Sequence, residues 1–151
     1  MQLTRQTDYS LRVLMYLAIL PKGQLAQLGD IAADYEISRN HIVKVVHRLG
    51  QLGYIVTRRG KGGGIRLAHA PETINIGDVV SRLEPTLTSI DCNALGCKLL
   101  PACHLNHILA EAMASYVSTL KHYTLANLVD PQRTRRLLQR IHHQTDTTTE
   151  D

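Results

Sequence analysis

Seven residues, Arg58-Arg59-Gly60-Lys61-Gly62-Gly63-Gly64, constrain the fold of this 151-residue chain more than any other stretch. A helix cannot continue through such a run, because glycine gives up most backbone freedom on entering one. β-type runs flank it, Tyr54-Ile55-Val56-Thr57 before and Ile65-Arg66-Leu67 after. The stretch therefore reads as a hairpin with a flexible, basic tip. Just upstream, Ser38 is placed to cap a helix over 39–52, which Gly53 closes from the C-cap position. Ile42, Val45, Val46, Leu49 and Leu52 form the buried stripe of that helix. Its other face presents Asn40, Lys44, His47 and Gln51, flanked by His41 and Arg48.

Two earlier helices complete the pattern. Leu11, Leu14, Met15 and Ala18 repeat at helical spacing in a first helix over 5–20, which Pro21-Lys22-Gly23 ends. Asp30 can cap a short second helix carrying Ile31, Ala32 and Tyr35. A short helix, a tight turn, a polar and basic helix and then a basic hairpin make a winged helix-turn-helix. A polar-faced helix of this kind enters the major groove of double-stranded DNA, and its wing lies along the backbone or minor groove. A nucleotide-binding loop would need Gly-Lys-Ser/Thr running directly into a helix, whereas Gly64 leads into a strand.

Charge supports the same reading. The net +4 divides into +6 over residues 1–70 and −2 over residues 71–151. Arg39, Lys44, Arg48, Arg58, Arg59, Lys61 and Arg66 fall within 36–66 against a single acid, Glu36. This clustering points to a polyanion, with nucleic acid ahead of membrane. Guanidinium forks also suit phosphates and guanine edges better than ammonium groups do. Asn40, His41 and Lys44 are the candidates for base edges; Arg39, Arg58, Arg59 and Lys61 suit phosphates or the minor groove.

The second half carries the cysteines. Residues 70–75 read as a linker, followed by a short helix over Ile76–Leu83 that Glu84-Pro85 stops. Region 86–103 is irregular and holds Cys92, Cys97 and Cys103 as C-x4-C-x5-C. An odd number of cysteines excludes a fully paired disulfide framework. Without a C-x2-C pair, a zinc knuckle is less natural than an iron–sulfur cluster held by three thiolates. A redox switch pairing Cys92 with Cys97 is a further option. Asp91, His104, His107 and Asp8 are available as a fourth ligand. A carboxylate there would be a hard ligand on a soft cluster, and so its weakest bond.

Leu105, Ile108/Leu109, Ala112/Met113, Tyr116/Val117 and Leu120 then recur every three or four residues. They predict a helix of about 20–24 residues, roughly 30–36 Å long. So long a helix in so small a chain fits homodimerisation. Asp130-Pro131 marks the start of a last helix with Leu137, Leu138 and Ile141, and Gln144–Asp151 is a polar tail. With six tyrosines as its only aromatics, the core must be aliphatic, which suits helices packed on helices. The expected fold is mainly α, a winged helix-turn-helix with a small β-hairpin wing and a long dimerisation helix. Its divisions are a DNA-binding domain over 1–70, a connecting helix and cluster loop over 71–103, dimerisation and C-terminal helices over 104–143, and the tail over 144–151.

Nothing at suggestive spacing forms a nucleophilic triad or a carboxylate pair, so an enzyme is not expected. The longest early apolar run, Val13–Leu20, is too short to span a bilayer. Asp8 and Pro21-Lys22-Gly23 also disagree with a signal peptide, which points to a cytoplasmic protein.

Ser38-Arg39-Asn40-His41, followed by Arg59-Gly60-Lys61-Gly62-Gly63-Gly64-Ile65-Arg66-Leu67, resembles the winged-helix iron–sulfur transcriptional regulators of the IscR and NsrR type. Met1-Gln2-Leu3-Thr4, Thr7-Asp8-Tyr9, Ile76-Gly77-Asp78-Val79-Val80 and Leu83-Glu84-Pro85 are most similar to the nitric-oxide-sensitive branch. The resemblance spans about residues 1–130 and places Cys92, Cys97 and Cys103 where that family keeps its cluster ligands. It implies a homodimeric repressor on palindromic operator DNA, which nitric oxide releases by attacking the cluster. In that branch an aspartate early in the first helix is implied as fourth ligand, and Asp8 stands there. Other members use a histidine after the third cysteine, where His107 stands. The rival reading is a DNA-binding regulator sensing iron–sulfur status, thiol redox state or zinc.

Overall fold

A computed structural model of the chain describes residues 2–88, 90, 94, 96–99, 102–130 and 132–143. Its elements run α1 (Arg5–Ala18), α2 (Leu28–Asp34), α3 (Arg39–Gln51), β1 (Ile55–Arg58), β2 (Gly64–Leu67), a 3-10 turn (Pro71–Thr73), α4 (Ile76–Leu83), α5 (His104–Lys121), α6 (Leu125–Val129) and α7 (Gln132–His143). This is a mostly helical fold carrying one antiparallel hairpin.

The Thr4 hydroxyl caps α1 by accepting from the Thr7 amide at 3.3 Å. Its buried face differs from the apolar stripe expected of it. Leu14 is fully buried, but Leu11, Met15 and Ala18 are only half-buried, and Thr7, Ser10, Val13 and Leu17 turn inward instead. Two hydroxyls tolerate that burial because each finds a partner: Ser10 donates to the Gln6 carbonyl at 2.7 Å, and Thr7 lies 3.1 Å from the Thr4 oxygen. The helix ends two residues before the expected boundary.

α2 begins at Leu28 with Gln27 as its N-cap residue, so Asp30 does not cap it. Asp30 occupies the first turn, where its charge favours the helix dipole. The Gln27 side chain is used elsewhere, its amide donating to the Gly63 carbonyl of the wing. Glu36, at φ +52°, makes the turn into α3, a left-handed conformation usually left to glycine or asparagine. On α3, Ile42, Val45, Val46 and Leu49 are buried and Leu52 is half-buried, as the periodicity predicts.

The hairpin pairs Ile55 with Leu67, Val56 with Arg66, Thr57 with Ile65, and Arg58 with Gly64. Ala26 bridges to Ile65 through two 2.9 Å backbone hydrogen bonds, so the base of the wing is fastened to the α1–α2 connection. Gly64, at φ +152°, makes this approach possible, since a Cβ there would sit 2.6 Å from the Ala26 oxygen.

α5 is 18 residues long, about 27 Å, and shorter than the 20–24 expected. The chain turns after Lys121 into α6, a helix the periodicity did not indicate. α6 opens on a capping box in which Thr124 and Asn127 satisfy each other's backbone. The Leu125 amide donates to Ile74 at 2.8 Å and the Ile76 amide to Tyr123 at 3.0 Å, tying this turn to the entrance of α4. One aliphatic core runs through the whole assembly, from Val13, Leu14, Ile31, Ile42 and Leu49 to Ile74, Val79, Val80 and Leu125.

Candidate nucleic-acid interface

Ser38 starts the exposed face of α3. Its hydroxyl accepts from the His41 amide at 3.4 Å and lies 2.9 Å from His41 Nδ1. Ser38, Arg39, Asn40, His41, Lys44, His47 and Arg48 are all exposed. Spacings of four, three and four carry Asn40, Lys44, His47 and Gln51 along one side of the helix. In the hairpin, Arg58, Arg59 and Lys61 are exposed while Gly63, Gly64 and Ile65 behind them are buried. A rigid base therefore holds out a basic tip. Every residue expected to meet DNA is presented to solvent on α3 or on the wing.

Contacts that the sequence did not announce tie this face to the rest of the molecule. The Tyr9 ring of α1 lies 5.8 Å from the His41 ring. Arg48 Nη2 donates to the Arg82 carbonyl of α4 at 3.4 Å, and the Arg82 guanidinium sits over the Tyr54 ring, 5.9 Å from its centre. Burial raises the Tyr54 phenol, with Arg82 pulling the other way. No periodicity in either helix could have paired Arg48 with Arg82; the contact follows from how α4 packs. Behind α3, the Tyr16 hydroxyl donates to Asp34 at 2.8 Å, and burial together with that carboxylate raises its pKa. Burial pushes the Tyr35 phenol up to about 12 against the pull of Arg12.

Of the expected cluster ligands, Cys92 lies outside the described residues. Cys97 and Cys103 are free thiols and half-buried, with Cys103 at the N-cap position of α5. His104 and His107, on the first turn of α5, stack with ring centres 6.3 Å apart and are exposed. Asp8 lies on the first turn of α1, paired with Arg12 at 3.0 Å and half-exposed. Among the described residues, no three His, Cys, Asp or Glu side chains come together at metal-binding distance. The donors are nonetheless of the right kind: soft, free, half-buried thiols suit an iron–sulfur cluster, and the Asp8 carboxylate remains reachable by solvent.

Glu84, expected only as part of the stop after α4, makes a contact that the sequence did not indicate. It accepts from the Thr4 amide at 2.9 Å and from the Thr4 hydroxyl at 3.2 Å. The start of α1 is thereby fastened to the end of α4, where the cysteine-bearing segment begins. No helix of the described residues is long and apolar enough to cross a membrane.

Residues 3–131 match the model of the Rrf2 family, described as an iron-dependent transcriptional regulator. The HTH-type transcriptional regulator NsrR of Bacillus subtilis (strain 168) is 50% identical over 132 residues, 85% of this chain and 90% of that protein. The regulator of the same name from Shouchella clausii (strain KSM-K16) is also 50% identical over 132 residues, 85% of this chain and 89% of that one. Among solved structures, T. potens IscR shares the fold with a TM-score of 0.70 at 21% identity, covering 86% of this chain and 87% of that one.

Proposed function

Because this chain belongs to the Rrf2 family of transcriptional regulators, we propose that it is a nitric-oxide-sensing iron–sulfur repressor that binds palindromic operator DNA as a homodimer. Residues 1–70 read the DNA, 71–103 hold the cluster and 104–143 pair the protomers; the polar tail expected over 144–151 lies outside the described residues. What supports the DNA-binding part most is the exposed row from Ser38 to Arg48 beside a wing fastened to Ala26 at Ile65 and to Gln27 at Gly63. The sensing part rests on the thiols at Cys97 and Cys103 and on 50% identity to two regulators named NsrR.

Cys92, Cys97 and Cys103 would hold the cluster, with Asp8 as fourth ligand in preference to His107. When bound, such a group supplies iron that nitric oxide attacks. The chain's own part is to pass the change to the DNA-reading face. Thr4 and Glu84 join α1 to the end of α4. Tyr9, next to Asp8, packs its ring on His41 of the recognition helix. A shift of α1 thus reaches α3 through one ring contact and a shared core. A coupling of about 1–3 kcal/mol, 5–150-fold in affinity, is enough for a genetic switch.

Anoxic purification followed by a visible absorption spectrum and an iron and sulfide assay tests the cofactor. Colour, iron and sulfide in the purified protein, and an absorption spectrum that changes on exposure to nitric oxide together with operator release, are expected. A colourless, iron-free protein would instead favour a thiol or zinc regulator on the same scaffold. Asp8→Ala is expected to retain bound iron but weaken the link between its state and operator affinity; an unchanged nitric-oxide response would remove Asp8 from the ligand set.

A further inference from the structure

α4 lies outside the helix-turn-helix and the wing, yet it carries a cation to the edge of the recognition helix. Arg82 is exposed on its last turn, over the ring of buried Tyr54. Arg48, exposed on the last turn of α3, bonds through Nη2 to the carbonyl of that same arginine. Both side chains are thus held by neutral groups, an aromatic face and a peptide oxygen. The two acids at the ends of α4 are occupied elsewhere: Asp78 pairs with Lys121 at 3.8 Å, and Glu84 accepts from Thr4. Among the described residues, neither guanidinium has a carboxylate within ion-pair distance. Arg48 thus brings its guanidinium onto the backbone of the residue that carries the second cation, and two exposed guanidiniums without a carboxylate partner are open to a phosphate oxygen.

We infer that Arg82 and Arg48 form a phosphate-binding fork that carries the DNA interface from α3 onto α4. The inference rests on the DNA-binding reading above and adds to it a backbone contact beyond residues 1–70. A phosphate grip of this kind positions the protein without reading sequence. The competing role for Arg82 is structural, as a cation at the end of α4 stacked on Tyr54; that role affects folding but not salt dependence.

Salt titration separates the two. The full-length protein is bound to a fluorescent random-sequence duplex over a range of KCl, as wild type, R82Q, R82K and the double variant R48Q/R82Q. Each phosphate contact contributes about 0.9 to the slope of log affinity against log salt. R82Q is expected to flatten the slope by about that amount, and R82K to keep it. The double variant should lose less than twice the single loss, because the two arginines share one anion. A thermal melt of each variant establishes that it is folded. A folded R82Q with the wild-type slope, or an R82K that loses slope as R82Q does, overturns the fork while leaving the DNA-binding reading intact. A wild-type protein that shows no salt-dependent binding overturns both.

Discussion

Ser38 performs two tasks at one atom. Its oxygen accepts from the His41 amide, capping α3, and also meets His41 Nδ1, which fixes the orientation of that ring. Ser38→Ala should cost about 1 kcal/mol in a urea titration and should weaken DNA binding through a freed imidazole. Lys44 stands clear on the same face. If it reads a base edge, Lys44→Ala loses about 1–3 kcal/mol of operator affinity and much less on random duplex; equal losses measured by anisotropy would make it a phosphate contact. Tyr35 controls a pH dependence. Its folded pKa is raised from 10 to about 12, so the unfolded chain releases its phenolic proton first. Stability is therefore intact below pH 10 and falls as pH rises toward 12. Urea midpoints followed across that window should fall, and Tyr35→Phe should flatten part of the decline. These residue types were visible in the sequence, Ser38 as a cap and Lys44 as an exposed cation. The tyrosine shift was not, because burial depends on what packs around a side chain.

The elements divide in the same way. α3 and the hairpin appear almost at their predicted bounds, since a capped amphipathic helix and a glycine-rich reversal are encoded by neighbouring residues. α1 follows its period less faithfully: Thr7 and Ser10 face inward because local hydroxyl bonds offset their polarity. α6 escaped the sequence reading because its five residues are too few to show a period, and its start is fixed by bonds to Ile74 and by the Thr124–Asn127 box. The packing of α4 on α5 depends on Gly77, where a Cβ would lie 2.8 Å from the Lys121 nitrogen and 3.0 Å from its Cα. Both are backbone atoms of a helix and cannot rotate away. Gly77→Ala should therefore push the two helices apart and cost about 1–3 kcal/mol in denaturant unfolding. A variant as stable as the wild type would show that the helix pair yields.

At the scale of the molecule, α5 leaves apolar surface uncovered by the rest of the chain. Leu105 is 57% exposed and Ile108 48%, and no residue of the helix is fully buried. On the proposed homodimer these side chains meet a second copy. Ile108→Glu should then shift sedimentation from dimer toward monomer and reduce operator affinity with it; a variant that remains dimeric would place the interface elsewhere. The cysteine segment separates the two levels most clearly. Its C-x4-C-x5-C spacing is local and legible in the sequence, whereas the distance from Asp8 to Cys97 and Cys103 is a property of the folded chain. Amino-acid order alone determined the winged helix-turn-helix, the basic face of α3 and the aliphatic core, because caps, periods and glycines act over a few neighbouring residues. Only the tertiary structure decided that Thr4 is held by Glu84, Tyr9 by His41, and Arg48 beside Arg82. Those contacts join residues 32 to 80 positions apart, and no local propensity carries information over that distance; packing of the shared core sets it.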